Sequence, residues 1–178
     1  ITYTLDLTRQ YHNLLERTEE SRNQRYFWDG NVAAYEENGE RNYYFQDELG
    51  SPLRIEDSFG TIKENYGYGA FGEDLYQNQG EIQPFGYTGY QRDEIAGTYY
   101  AQAREYLAES GRFNSEDPIR YKTNYYVYCS NNPLNFIDTL GLKENACNND
   151  SVDIPKEIEK ISSSLRNVSL VERFTELT

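Results

Sequence analysis

Few residues in this chain are equipped for chemistry. His12 is the only histidine, and no acid, serine or cysteine stands at a spacing that would make it a base, so it reads as a surface residue. Two cysteines, Cys129 and Cys147, cannot by themselves build a disulfide framework or a four-ligand metal site. Two free thiols are the expected state. The acids remain. NNPLNFIDTLGLKEN, residues 131–145, lies between the cysteines and sets Asp138 in a turn-rich, nearly uncharged stretch, and GRFNSEDPI, residues 111–119, sets Asp117 directly before Pro118. Taken alone, both acids suit turns: Asp-Pro opens one, and Asp138 could cap another before Gly141.

The elements that must position these residues are short strands. Turn signals recur at Asp29-Gly30, Asn38-Gly39, Leu49-Gly50, Phe59-Gly60, Gly69, Gly80, Gly89 and Gly97, eight to eleven residues apart. With aromatic and β-branched residues between them, this spacing predicts a meander of antiparallel hairpins. In PLRIE, residues 52–56, Leu53 and Ile55 alternate with Arg54 and Glu56, as on a strand with one buried face, and TNYYVYC, residues 123–129, alternates likewise. Residues 9–25 fit either a polar helix or a strand pair turning near Glu19 to Asn23, and the flanking strands favour the pair.

After Leu142 the pattern changes. Ile154, Ile158, Ile161, Leu165 and Val168 form one helical stripe with Asp153 as N-cap, and Ser169 with Glu172 reads as the capping box of a second short helix. The 18 tyrosines and 8 phenylalanines are accounted for by cross-strand ladders, in which tyrosine buries its ring and leaves its hydroxyl wet.

With 178 residues, 37% of them hydrophobic, one domain with a modest core is expected. The chain has no Met and opens at ITYTLDLT, as if in mid-strand, so a segment of a longer protein is expected. Residues 1–142 hold 12 Lys+Arg against 23 Asp+Glu, or −11 of the formal −13. Such an acidic surface repels phosphate and argues against nucleic acid as a partner. No apolar run reaches the roughly 18 residues of a membrane span, and no signal peptide is legible. Nothing calls for a metal or cofactor.

Four motifs in order carry a resemblance: DELGSPLRIEDSFGTIKENYGYGAFGE (47–73), QPFGYTGYQRDEIAGTYYAQAREY (83–106), GRFNSEDPI (111–119) and YCSNNPLNFIDTLGL (128–142). Together they resemble the end of the core of a bacterial Rhs or YD-repeat protein, nearest to the Gram-positive wall-associated type. The resemblance implies a mainly β fold, an antiparallel hairpin meander forming part of a hollow β-shell, with a C-terminal plug and a short helical tail. It divides the chain into terminal YD repeats (1–84), an autocleavage plug (85–142) and the start of a variable effector (143–178). In such proteins the effector is held in the shell and separated by self-cleavage just after a DPxGL motif, which here places the scissile bond between Leu142 and Lys143.

Cutting an amide without metal, serine or cysteine takes two carboxylates that share a proton, one as base toward water and one as acid. Carried over by motif, the resemblance assigns Asp117 and Asp138 to this dyad without deciding which is acid and which base. It assigns Arg104 to hold one carboxylate ionised or to steady the oxyanion, and Thr139, Leu140 and Gly141 to the turn that brings the bond back toward Asp138. Two departures stand out: Thr139 replaces the motif's proline, and Leu107-Ala108 replaces an Asp-Pro. The resulting expectation is a single-turnover aspartic autoprotease in a secreted or wall-associated bacterial toxin, with the rest of its own shell, its effector and an immunity protein as partners. Exposed strand edges would let the isolated chain self-associate. The rival readings are an uncut structural or interaction module, and glycan binding through exposed aromatics.

Overall fold

The computed structural model describes residues 1–8, 13–76, 83–93, 95–120 and 123–147. His12, Gly80 and the apolar stripe from Ile154 onward lie outside them. Seven strands follow one another in sequence and in space: β1 (Thr2–Asp6), β2 (Asn13–Glu19), β3 (Arg22–Asp29), β4 (Asn31–Glu37), β5 (Glu40–Gln46), β6 (Pro52–Asp57) and β7 (Ile62–Asn65). Every neighbouring pair is antiparallel. The segment that fitted both a helix and a strand pair is a strand pair over its described part, with Glu20 at positive φ in the turn. Asn38 and Gly39 both take positive φ between β4 and β5, the geometry that an Asn-Gly hairpin turn requires.

The hairpins carry a repeated irregularity. In β2, β4 and β6 one residue is skipped in the pairing, namely Leu15, Ala33 and Leu53. Such a bulge bends the strand and turns the extra side chain out of the alternation. Leu53, expected beside Ile55 on the buried face, is therefore exposed, while Ile55 and Pro52 are buried.

A second unit folds onto this sheet. Strands β8 (Gln91–Asp93), β9 (Thr98–Ala101), β10 (Arg104–Leu107) and β11 (Arg112–Phe113) form a four-stranded antiparallel sheet, and β12 (Phe136–Ile137) pairs with β13 (Asn145–Ala146). The expected strand at 123–129 does not form, and only Val127 bridges, to Arg112. Pairing stops beside that bridge because the Tyr125 carbonyl serves other partners, accepting the Asp117 N–H at 2.9 Å and Arg104 Nη1 at 3.0 Å. Cys129, Ser130 and Asn131 then take three successive positive φ values. Among the described residues no helix is long and apolar enough to cross a membrane.

Two aromatic cores result. On the large sheet Tyr26, Tyr35 and Tyr44 form a ladder across β3, β4 and β5, with centroids 6.1 and 5.9 Å apart. Phe85, from the second unit, meets Tyr26, Trp28 and Tyr44 edge-on at 5.3, 5.4 and 6.1 Å. The other core gathers Tyr87, Tyr99, Tyr106, Phe113 and Tyr128. Here the hydroxyls are used: Tyr87 donates to Ala70 O at 2.9 Å, Tyr106 to Phe71 O at 2.6 Å and Tyr99 to Gly72 O at 3.3 Å. Three rings thus bury apolar area while their tips satisfy carbonyls of one loop, which phenylalanine could not do.

Phe85 is the chief aromatic link between the two units. Phe85→Ala should cost about 3–5 kcal/mol in urea denaturation, whereas Phe59→Ala, at a side chain 93% exposed, should stay within about 0.5 kcal/mol of wild type.

Candidate functional site

The two acids and the arginine are buried together. Arg104 is 5% exposed, Asp117 6% and Asp138 3%, and such groups stay inside only when paired. Arg104 opens β10, and its guanidinium lies over the Phe113 ring, 3.5 Å from the centroid. Its three nitrogens are all engaged: Nη2 meets Asp138 Oδ2 at 3.3 Å, Nη1 donates to Tyr125 O at 3.0 Å, and Nε donates to Gly141 O. The adjacent acid, Glu105, accepts from the Thr98 hydroxyl at 2.8 Å.

Asp138 follows β12 and grips the chain just beyond itself. Its Oδ1 accepts the N–H of Leu142 at 2.9 Å and that of Lys143 at 3.0 Å. Its own carbonyl accepts from Gly141 N at 3.2 Å and from the Tyr90 hydroxyl. The turn over Asp138 to Gly141 therefore closes with Thr139 in the place of the motif's proline. Gly141 has φ +65°, and the turn packs so closely on the β9–β10 connection that a Cβ there would lie 2.5 Å from the Ala101 carbonyl oxygen. Only glycine fits this combination of backbone and space. Leu140 O accepts from Ala103 N at 3.0 Å and completes the docking. Beyond the turn, β13 holds the residues after Lys143, Cys147 N donates to Asn135 O at 2.9 Å, and Ser130 Oγ meets Glu144 Oε1 at 2.9 Å.

Asp117 sits at its own turn, its Oδ1 accepting Ile119 N at 2.9 Å and its carbonyl accepting Arg120 N at 3.1 Å. Tyr125 O, which accepts both the Asp117 N–H and Arg104 Nη1, ties the two residues to one point. Asp117, Asp138, Arg104, Leu142 and Lys143 all line one small cavity of about 20 Å³, and a water needs about 10–15 Å³. Arg104, Asp117, Asp138, Leu142 and Lys143 thus converge, with Thr139, Leu140 and Gly141 set back in the turn.

Burial pushes the Asp138 carboxyl above its ordinary range. Arg104 and the two backbone N–H groups oppose that rise and Asp117 adds to it. Burial likewise lowers the Arg104 guanidinium, against the pull of Asp138 and Asp117. Burial also pushes up the Cys129 thiol, which stands in the cavity wall. Both cysteines are free thiols. Sequence reasoning missed Tyr90 and Tyr125. Tyr90 stands within a quoted motif, but Tyr125 acts through its carbonyl, for which side-chain identity holds no signal.

Gly141→Ala should cost about 1–3 kcal/mol through backbone strain alone, with the clash at Ala101 adding to it in a denaturant titration. Asp138 also sets a pH dependence. A carboxyl raised in the folded state contributes stability that is present below its unfolded value, near 3.8, and lost as pH rises through the folded one. The stability of wild type relative to Asp138→Asn should therefore fall as pH rises above about 4 in paired urea titrations.

A family model described as Teneurin YD-shell matches residues 9–135, a span that includes Arg104 and Asp117 and ends before Asp138. The tRNA3(Ser)-specific nuclease WapA of Bacillus spizizenii is 34% identical over 121 residues, which is 63% of this chain and 5% of that protein. Toxin protein Tse5 of Pseudomonas aeruginosa is 32% identical over 102 residues, 56% of this chain and 8% of that one. The crystal structure of TcdB2-TccC3-Cdc42 superposes with a TM-score of 0.60 at 25% identity, covering 68% of this chain and 6% of that one. This chain spans less than a tenth of the length of each of these three. The family match extends over well more than half of the residues, and the chain belongs to the Teneurin YD-shell family as an Rhs/YD-repeat protein.

Proposed function

We propose that this chain is the C-terminal end of the shell of a bacterial polymorphic toxin, and that it cuts itself once, between Leu142 and Lys143, to free the effector that begins at Lys143. The observation that carries this reading is the cavity, about 20 Å³ in volume, walled by two buried aspartates and by both residues of the bond. Terminal repeats occupy residues 1–84, the cleavage plug 85–142 and the effector's first residues 143–178. Similarity to WapA and Tse5, each named as a nuclease or toxin, supports the toxin context. Secretion or wall attachment, an immunity protein and the remainder of the shell as partners follow from the same context. The outer strands β1 and β7 are where further repeats, or a second copy of the isolated chain, would add.

This reading divides between the two acids the roles that the sequence left open. A water in the cavity attacks the Leu142 carbonyl carbon, and Asp117 takes its proton. In the uncut chain Asp138 Oδ1 accepts the Lys143 N–H at 3.0 Å; once water has added to the carbonyl carbon, Asp138, whose proton is favoured by burial, gives that proton to the lone pair freed on the departing nitrogen. The C–N bond breaks, the hydroxyl stays on Leu142 as its new carboxyl, and Lys143 leaves as an amine. Arg104 holds Asp138 Oδ2 and the Gly141 carbonyl, which fixes the turn ahead of the bond. All catalytic parts belong to one chain, so proximity supplies much of the modest acceleration a single cut needs, about 8 kcal/mol.

Freshly purified wild type should resolve by mass spectrometry into residues 1–142 and 143–178. Asp117→Asn and Asp138→Asn should each slow the cut by about 10²–10⁴-fold and leave the intact mass. A break after Leu142 at wild-type rate in either variant would exclude the dyad, and an uncut wild type would leave a structural shell module.

A further inference from the structure

The cleavage reading leaves two thiols unused, and they stand on opposite sides of the bond between Leu142 and Lys143. Cys129 belongs to the plug. It is 2% exposed and packs in the aromatic core with Tyr87, Tyr106 and Tyr128. Cys147 follows β13 and is half-buried, on the effector's side of the bond. These are the only two cysteines in the chain, so each has one candidate partner within the molecule.

The fold stitches the two segments together. Antiparallel pairing of Phe136 with Ala146 and of Ile137 with Asn145 sets Cys147 opposite Asn135, and the Asn135 carbonyl accepts the Cys147 N–H at 2.9 Å. Strand β12 in turn starts from the Cys129 turn: Asn132 N donates to Cys129 O at 2.8 Å, and Asn132 O accepts Phe136 N at 3.2 Å. Ser130, next to Cys129, meets Glu144 through its Oγ at 2.9 Å. The thiols consequently lie within electrostatic reach of one another, and the Tyr87 hydroxyl feels both.

Their surroundings favour a bridge over a pair of thiolates. Burial pushes both thiols up, with the charge of Glu48 adding to the rise at Cys147. A thiol of low pKa stabilises the reduced form and makes its disulfide easy to reduce. Neither cysteine has that advantage here.

We propose that Cys129 and Cys147 join as a disulfide in oxidising surroundings, a covalent strap across the scissile segment that holds the effector to the plug until it is reduced. A low-molecular-weight disulfide such as oxidised glutathione is the oxidant. Cys147, the less buried of the two, attacks one of its sulfurs as a thiolate and expels one glutathione thiolate. Cys129 then loses its proton, attacks Cys147 Sγ and expels the second. Two cysteine thiols become one disulfide, and one glutathione disulfide becomes two thiols. The bridge stands whether or not the chain is cut, and only its role as a strap rests on the cleavage reading. On that reading a cut made outside a cell frees nothing, and a cytosol, where glutathione keeps thiols reduced, completes the release.

The reduced 178-residue chain is held in a buffer of reduced and oxidised glutathione, alkylated with iodoacetamide and digested with trypsin without reduction. Cleavage after Lys122, Lys143 and Lys156 puts Cys129 in peptide 123–143, or 123–142 where the chain has already cut itself, and Cys147 in peptide 144–156. The two peptides should appear joined, at least about tenfold above the glutathione adducts and about tenfold above the same treatment in denaturing urea. Glutathione adducts alone, joined peptides only from covalent dimers, or no excess over the unfolded chain overturn the proposal. On gels, residues 143–178 should run with 1–142 until reductant is added, and Cys147→Ser should part without it. A chain that stays whole on the reducing gel, with the peptides joined, supports the bridge and overturns the cut.

Discussion

The structure around residues 101–147 depends on one buried carboxylate that must be paired. Asp138 is almost wholly inside the protein, where an unpaired charge would cost several kcal/mol. One of its oxygens takes two backbone N–H groups from the residues four and five positions on, and the other takes Arg104. The first pair of bonds folds the chain after Gly141 back on itself. The second brings β10 against the turn, and the remaining arginine nitrogens extend that hold to Gly141 and to Tyr125, whose carbonyl also receives the Asp117 amide. One desolvated acid thereby organises two turns and a strand. Those same bonds bring the backbone of Leu142 and Lys143 to within hydrogen-bond reach of its side chain.

The aromatic cores give this arrangement its rigid support. On the large sheet the tyrosine ladder runs across strands, and Phe85 seats the plug against it. In the plug, Tyr106 and Tyr128 pack with centroids 4.2 Å apart, and Phe113 meets both while lying under Arg104. A guanidinium held over a ring face keeps part of its electrostatic stabilisation away from water. The abundance of tyrosine follows from two needs at once: large rings for a small core, and hydroxyls that reach loop carbonyls no strand can satisfy.

Two cavities adjoin the Asp138 turn, and their walls differ. The small one, about 20 Å³, is walled by charged groups that answer one another and leaves room for little beyond water. The large one, about 420 Å³, has uncharged and aromatic walls among the described residues. Tyr90 lines the large cavity, and its hydroxyl holds the Asp138 carbonyl, while Thr139 follows Asp138 directly. Both cavities therefore share the backbone of one turn, and a change in its shape would be felt in both.

Much of the meander was legible because hairpins announce themselves locally. Asn38-Gly39 needs positive φ, and the recurrent glycines mark where each strand ends. The Asp138 turn was also legible, but only as a turn, and its match to a family motif was what raised its acid above a cap. Strand irregularities were not legible: Leu53 alternates correctly with its neighbours and is exposed only because the pairing skips it. Nor could TNYYVYC be seen to lose its strand, since the Tyr125 carbonyl is claimed by residues outside that stretch. Sequence alone settled the hairpin meander and the turn chemistry, because these rest on local dihedral preference and residue type, while Arg104, Asp117 and Asp138 were singled out only through their match to family motifs. Tertiary structure alone decided that Asp117 and Asp138 share a cavity, that Arg104 spans both turns and that Trp28 lines a second, larger hollow. Those depend on which distant backbone groups remain unpaired after the strands form, a quantity no single stretch of sequence contains.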